Sequence, residues 1–199
     1  MSEKKLISIT ILFMAIALFF SYHIYYYFMN VNSEKLISDY YEESNVAESD
    51  SQVLVEKINN VVHDDEEGYL GILTIPKIKL ETGFYNKNSK MNTVSKSVML
   101  LPDSIMPGND GSIIYLAAHS GVGHLAYFKN IDKLTNDDLV KLSINNTDYL
   151  YSITDIYEIP KNGEIIVNRN INENYLILTT CSKNKNMQLV IVSKLINEI

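Results

Sequence analysis

Only one cysteine, Cys181, occurs in the 199 residues, which excludes an internal disulfide. A lone thiol in a folded chain is either a small buried hydrophobe or a reactive group. Arginine is equally scarce, with Arg169 the single example. No basic stripe runs along the chain, which argues against a nucleic-acid-binding surface. No clustering of metal-ligating residues is evident either, so no cofactor is expected. Internal repeats and low-complexity blocks are also missing. The net charge of −7 is concentrated in one place. Ser33 to Glu67 holds eleven acidic residues against two lysines, a local charge of −9, whereas Gly68 to Ile199 is nearly neutral.

What is present divides the chain into four stretches. Residues 1–5 form a short N-terminus carrying Lys4 and Lys5. Residues 6–28 are apolar and without charge; as a helix they span roughly 34 Å, enough for a bilayer core of about 30 Å. The preceding lysines predict a cytoplasmic N-terminus, and Tyr25, Tyr26 and Tyr27 fit an interfacial belt on the far side. The run is long for a signal peptide and no small-x-small cleavage site follows it, so an uncleaved anchor is expected. Residues 29–67 read as an acidic, solvated extracellular linker, with a possible short helix over Ser51 to Val62.

From residue 68 to 199 the texture changes to short β-prone runs. They cover Leu70–Ile75, Ser97–Leu101, Ser112–Ala118, Leu139–Ile144, Tyr149–Ile156, Tyr175–Thr180 and Gln188–Leu195. Turn signals such as Asn145-Asn146 and Lys161-Asn162-Gly163 separate them, and only Leu125–Leu134 reads as a short helix. The pattern predicts a mainly β fold, a closed or nearly closed barrel of seven to eight strands with short helices.

Two residues stand where strands leave this barrel. Cys181 ends the run Leu176-Ile177-Leu178-Thr179-Thr180, and His119 follows Ile113-Ile114-Tyr115-Leu116-Ala117-Ala118. Each alone has a structural explanation; together they are the residue types of a nucleophile and its base. His124, in the following loop, is the weaker candidate, while His23 falls in the anchor and His63 in the linker. Papain-like peptidases place Cys before His, whereas here His119 comes first.

These segments resemble the sortases. Leu178-Thr179-Thr180-Cys181 is similar to that family's nucleophile strand, and Ala117-Ala118-His119 to its histidine strand. Ile75-Pro76-Lys77-Ile78 resembles the end of the first strand, and Met106-Pro107-Gly108-Asn109-Asp110-Gly111 the turn before the histidine strand. The resemblance covers nearly all of residues 68–199 and the anchor besides.

It implies a cysteine transpeptidase that cleaves an L-P-x-T-G-like sorting signal through a Cys181 thioacyl intermediate. His119 would move protons, with Thr180 and Ser120 near the substrate. The partners implied are surface proteins bearing C-terminal sorting signals and, as acceptor, an amine of a peptidoglycan precursor or a pilin lysine. Some sortases bind calcium near this barrel's Glu164 and Glu173, which read here as solvated. The family's arginine position, just before Leu189-Val190-Ile191-Val192, is occupied by Gln188. Gln188 is then a neutral hydrogen-bond donor, or Arg169 reaches in as the alternative oxyanion donor, or the protein is a weak or inactive relative that binds sorting signals or a surface partner.

Overall fold

A computed structural model of the chain describes residues 3–49, 68–108 and 111–199. The possible helix over 51–62, His63 and the acidic run 64–67 lie outside the described residues, as do Asn109 and Asp110. Two compact units are distinguished, Met1–Lys35 and Leu36–Ile199.

The first unit belongs to helix α1 (Glu3–Ser49). Its apolar side chains from Ile7 to Phe28 are exposed rather than packed, and the helix is long and apolar enough to cross a membrane. The helix continues 21 residues beyond Phe28, where the sequence predicts a solvated linker. Residues 29–49 contain neither proline nor glycine, so nothing in the backbone stops it.

Within the second unit, eight strands form one sheet: β1 (Gly71–Ile75), β2 (Leu80–Phe84), β3 (Met99–Leu100), β4 (Ile113–Ala117), β5 (Leu139–Ile144), β6 (Thr147–Pro160), β7 (Tyr175–Cys181) and β8 (Met187–Glu198). Their order is β2-β1-β5-β6-β8-β7-β4-β3, antiparallel throughout except for the β4–β7 pair. Phe84 of β2 bridges to Val98, the residue before β3, so the barrel is nearly closed, as the sequence predicts. In the same unit the Tyr40 hydroxyl of α1 donates to the Ser143 carbonyl at 3.0 Å, and the Tyr41 hydroxyl to Glu81 Oε1 at 3.3 Å.

The sequence reading omits β2, whose Leu80-Glu81-Thr82-Gly83-Phe84 carries a charge and a glycine. Gly83 is there for space: a Cβ at this position would lie 2.1 Å from the Tyr69 ring. The expected helix over Leu125–Leu134 is corrected to successive turns ending in a 3-10 turn, Ile131–Lys133. Ten residues nucleate a helix poorly, and the Phe128 N–H is drawn instead to the His119 carbonyl at 2.9 Å. Phe128, Ile131 and Leu134 still join the core.

Two apolar layers fix the barrel wall. Ile114, Leu116 and Ala118 of the β4 segment, Leu176 and Leu178 of β7 and Ile191 of β8 fill the interior. Ile113, Tyr175, Ile177, Val190 and Val192 face outward, under Ile165 and Val167 of the β6–β7 connection. Burial on both faces explains the apolar runs of β4, of Tyr175–Leu178 in β7 and of Leu189–Val192 in β8.

Candidate active site

Side-chain alternation along β7 decides which residues reach the surface. Leu176, Leu178 and Thr180 point inward, so Tyr175, Ile177, Thr179 and Cys181 point outward. Cys181 is the last residue of the strand and is exposed. β4 runs parallel to β7 with Ala117 opposite Thr179. Two further residues along each chain are His119 and Cys181, so the two expected catalytic residues follow the same ends of a parallel strand pair, at one barrel rim. His119 is exposed there, and its carbonyl is held by the Phe128 N–H.

A crossed pair of hydrogen bonds ties the two strand exits. The Thr180 hydroxyl donates to the Ala118 carbonyl, and the Ser120 hydroxyl to the Cys181 carbonyl, both at 2.6 Å. The Ala118 N–H adds a bond to the Thr179 carbonyl at 3.3 Å. The sequence reading puts Thr180 and Ser120 at the substrate. In the structure Thr180 is buried on the inner face and the Ser120 hydroxyl proton is engaged by Cys181. The alternation that exposes Cys181 is what turns Thr180 inward.

Gln188 is the direct antiparallel partner of Cys181, so the two side chains emerge on one face with Cβ atoms about 5 Å apart. Its amide points toward the carbonyls of Pro160 and Gly163, at 3.5 and 3.4 Å. Arg169 is not brought to the site. Its Nη1 donates to the Gly111 carbonyl at 2.9 Å, before the start of β4. His119 lies beyond the other end of that strand, roughly 25 Å along the chain for extended residues. Because β4 and β7 are parallel, a side chain anchored where they begin cannot serve the rim where they end. His124 lies in the loop beyond His119 and is part-buried.

The turn after Cys181 carries a network that the sequence does not signal. Glu158 of β6 accepts hydrogen bonds from the Ser182 hydroxyl and from Asn184 Nδ2, one on each carboxylate oxygen. The Ser182 hydroxyl accepts from the Asn184 N–H at 2.9 Å, and the Ser182 N–H donates to the Met187 carbonyl at 3.1 Å. Lys183 pairs with Asp132 in the segment that follows His119. These partners hold Glu158 and Asp132 below their ordinary carboxylate values: hydrogen bonds from Ser182 and Asn184 act on Glu158, and that from Lys183 on Asp132. The partners of Glu158 lie more than twenty residues away in the chain, beyond the reach of any local sequence signal.

Glu173 is likewise engaged, by Lys194 and by the Tyr175 hydroxyl, both at 2.7 Å. Among the described residues no group of three or more His, Cys, Asp or Glu is arranged to hold a metal ion.

Comparison with known proteins places this arrangement. Streptococcus pneumoniae sortase C aligns with a TM-score of 0.58 and 23% identity, over 65% of this chain and 69% of that one. A Clostridium perfringens sortase D5 transpeptidase aligns with a TM-score of 0.65 and 20% identity, over 84% of this chain and 99% of that one. A lid mutant of Corynebacterium diphtheriae sortase A aligns with a TM-score of 0.61 and 17% identity, over 68% and 74%. No curated protein matches the chain. The family model of the sortase domain matches residues 73–196, from within β1 to within β8 and including both rim residues, and the chain belongs to the sortase family.

Proposed function

We propose that this protein is a membrane-anchored cysteine transpeptidase acting on sorting signals of the L-P-x-T-G type. The observation that carries the reading is the parallel β4–β7 register, which sets Ala117 opposite Thr179 two residues before His119 and Cys181, with Cys181 exposed. The Cys181 thiolate attacks the scissile carbonyl carbon, and the tetrahedral intermediate collapses with cleavage of the C–N bond. His119 gives a proton to the departing amine, leaving a thioester on Sγ. An incoming amine then attacks that thioester, the C–S bond breaks, and His119 takes the amine's proton. Peptidoglycan precursor and pilin lysine both supply such an amine.

The oxyanion formed in each half-reaction needs donors aimed at it. Gln188 emerges beside Cys181 and supplies an amide N–H in place of the family's arginine. Residues 6–28 anchor the protein with the N-terminus in the cytoplasm, residues 29–67 lead out of the membrane, and the domain of residues 68–199 acts outside the cell.

A second reading, a sortase-like module that binds signals without turning them over, is favoured by one observation. The Gln188 amide is directed at the Pro160 and Gly163 carbonyls rather than left open. Mass spectrometry of the full chain in nanodiscs, incubated with a panel of such peptides, separates the two. A thioester on Cys181 that an added amine discharges supports the enzyme; peptide binding with no adduct supports the module.

A further inference from the structure

We propose that Ser120 is a positioning residue that sets the approach of His119 to Cys181. The proposal rests on the reading of these two as base and nucleophile. The backbone ladder between β4 and β7 runs out at Ala118, whose N–H bonds Thr179 and whose carbonyl receives Thr180. Beyond it the chain turns away, and the His119 carbonyl is drawn to Phe128 instead. The Ser120 hydroxyl extends the attachment past the last backbone bond, and it does so on the carbonyl of Cys181 itself.

The histidine is therefore bracketed. Its predecessor and its successor are both fastened to β7, at consecutive residues running from Thr179 to Cys181. The carbonyl of the Cys181–Ser182 peptide is held by Ser120 and its N–H by Met187, so the plane carrying the nucleophile is fixed from both sides. Removing the Ser120 hydroxyl leaves the Cys181 carbonyl without this donor and frees the His119 segment to swing from Ala118 as a hinge. An imidazolium held near a thiolate favours the ionised thiol, and that coupling falls off steeply with distance.

The test uses the full chain in nanodiscs and two readouts. One is the pH profile of Cys181 alkylation by iodoacetamide; the other is kcat and KM with a peptide that the wild-type protein cleaves. In Ser120→Ala the alkylation profile should shift from that of wild type toward that of His119→Ala, and kcat should fall by about fivefold to tenfold with KM unchanged. Ser120→Thr, which keeps the hydroxyl, should restore both. His119→Ala fixes where the uncoupled midpoint lies.

An unchanged profile in Ser120→Ala overturns the proposal, as does a loss confined to KM or to thermal stability. Failure of Ser120→Thr to restore the profile overturns it as well. If wild-type protein forms no thioester with any peptide yet the midpoint still moves, the enzymatic reading fails and the positioning role stands. If wild type is active and Ser120→Ala matches it in every respect, the reverse holds.

Discussion

At the scale of single residues, the barrel separates hydroxyls that are used from hydroxyls that are not. Thr180 and Tyr151 are both buried, but Thr180 donates to Ala118 whereas the Tyr151 hydroxyl has no partner. Substitutions that delete each oxygen should act with opposite sign. Thr180→Val strands the Ala118 carbonyl and should cost about 1–3 kcal/mol. Tyr151→Phe removes an unsatisfied polar group and should leave the protein as stable or raise it by about 1 kcal/mol. Denaturant unfolding of the two variants checks both, and destabilisation by Tyr151→Phe beyond that of Thr180→Val defeats the argument. Gln188 makes a separate case. If it fills the vacated arginine position, Gln188→Arg should raise the rate of thioester formation by about tenfold or more. A fall would mean that its contacts with Pro160 and Gly163 matter more than a charge beside the oxyanion.

At the scale of elements, legibility in the sequence tracks how far apart the partners lie. The strands β4, β5 and β7 are plain in the sequence because their apolar runs are dictated by burial, and with them the two rim residues. β2 is hidden because its glycine answers to Tyr69, fourteen residues earlier, and not to any local preference. The turn after Cys181 is hidden for the same reason at longer range, its anchors Glu158 and Asp132 lying 24 and 51 residues from the side chains they hold. Arg169 shows the converse error. Proximity in sequence to the nucleophile strand suggested proximity in space, but the loop joins the start of β7, not its end.

The clamp on that turn makes a prediction of its own. Glu158 is exposed, so Glu158→Ala should leave the melting temperature close to that of wild type. It should nonetheless speed amide exchange in residues 182–186 and lower the rate of peptide cleavage several-fold. Hydrogen exchange that is identical in variant and wild type would show that the hairpin bonds alone hold the turn.

On the scale of the whole molecule, several depressed carboxylates tie strands and loops of the barrel together. Asp138 meets Lys77 at 2.6 Å, and Asp148 takes Lys141 at 2.8 Å and Ser143 at 2.5 Å. Glu173 takes Lys194 and Tyr175. Burial opposes ionisation of Asp138 and Asp148, yet the bonds from Lys77 and Thr135, and from Lys141 and Ser143, outweigh it and hold both below the usual 3.8. Lys194 and Tyr175 hold Glu173 below the usual 4.5. A group whose pKa is lower folded than unfolded binds protons preferentially in the unfolded chain. Its stabilisation is complete above the unfolded value and disappears as pH falls through the folded one. Thermal stability should therefore be nearly flat from about pH 7 to about pH 5 and decline below about pH 4, with each pair contributing modestly. Because the pairs are partly exposed, added salt should shrink the decline. Asp148→Asn removes one titrating carboxylate and should flatten it, at the expense of stability at neutral pH. Melting temperatures across that range, at low and high salt, decide the matter: a variant whose acid slope equals that of wild type would exclude Asp148 from the titration that unfolds the barrel.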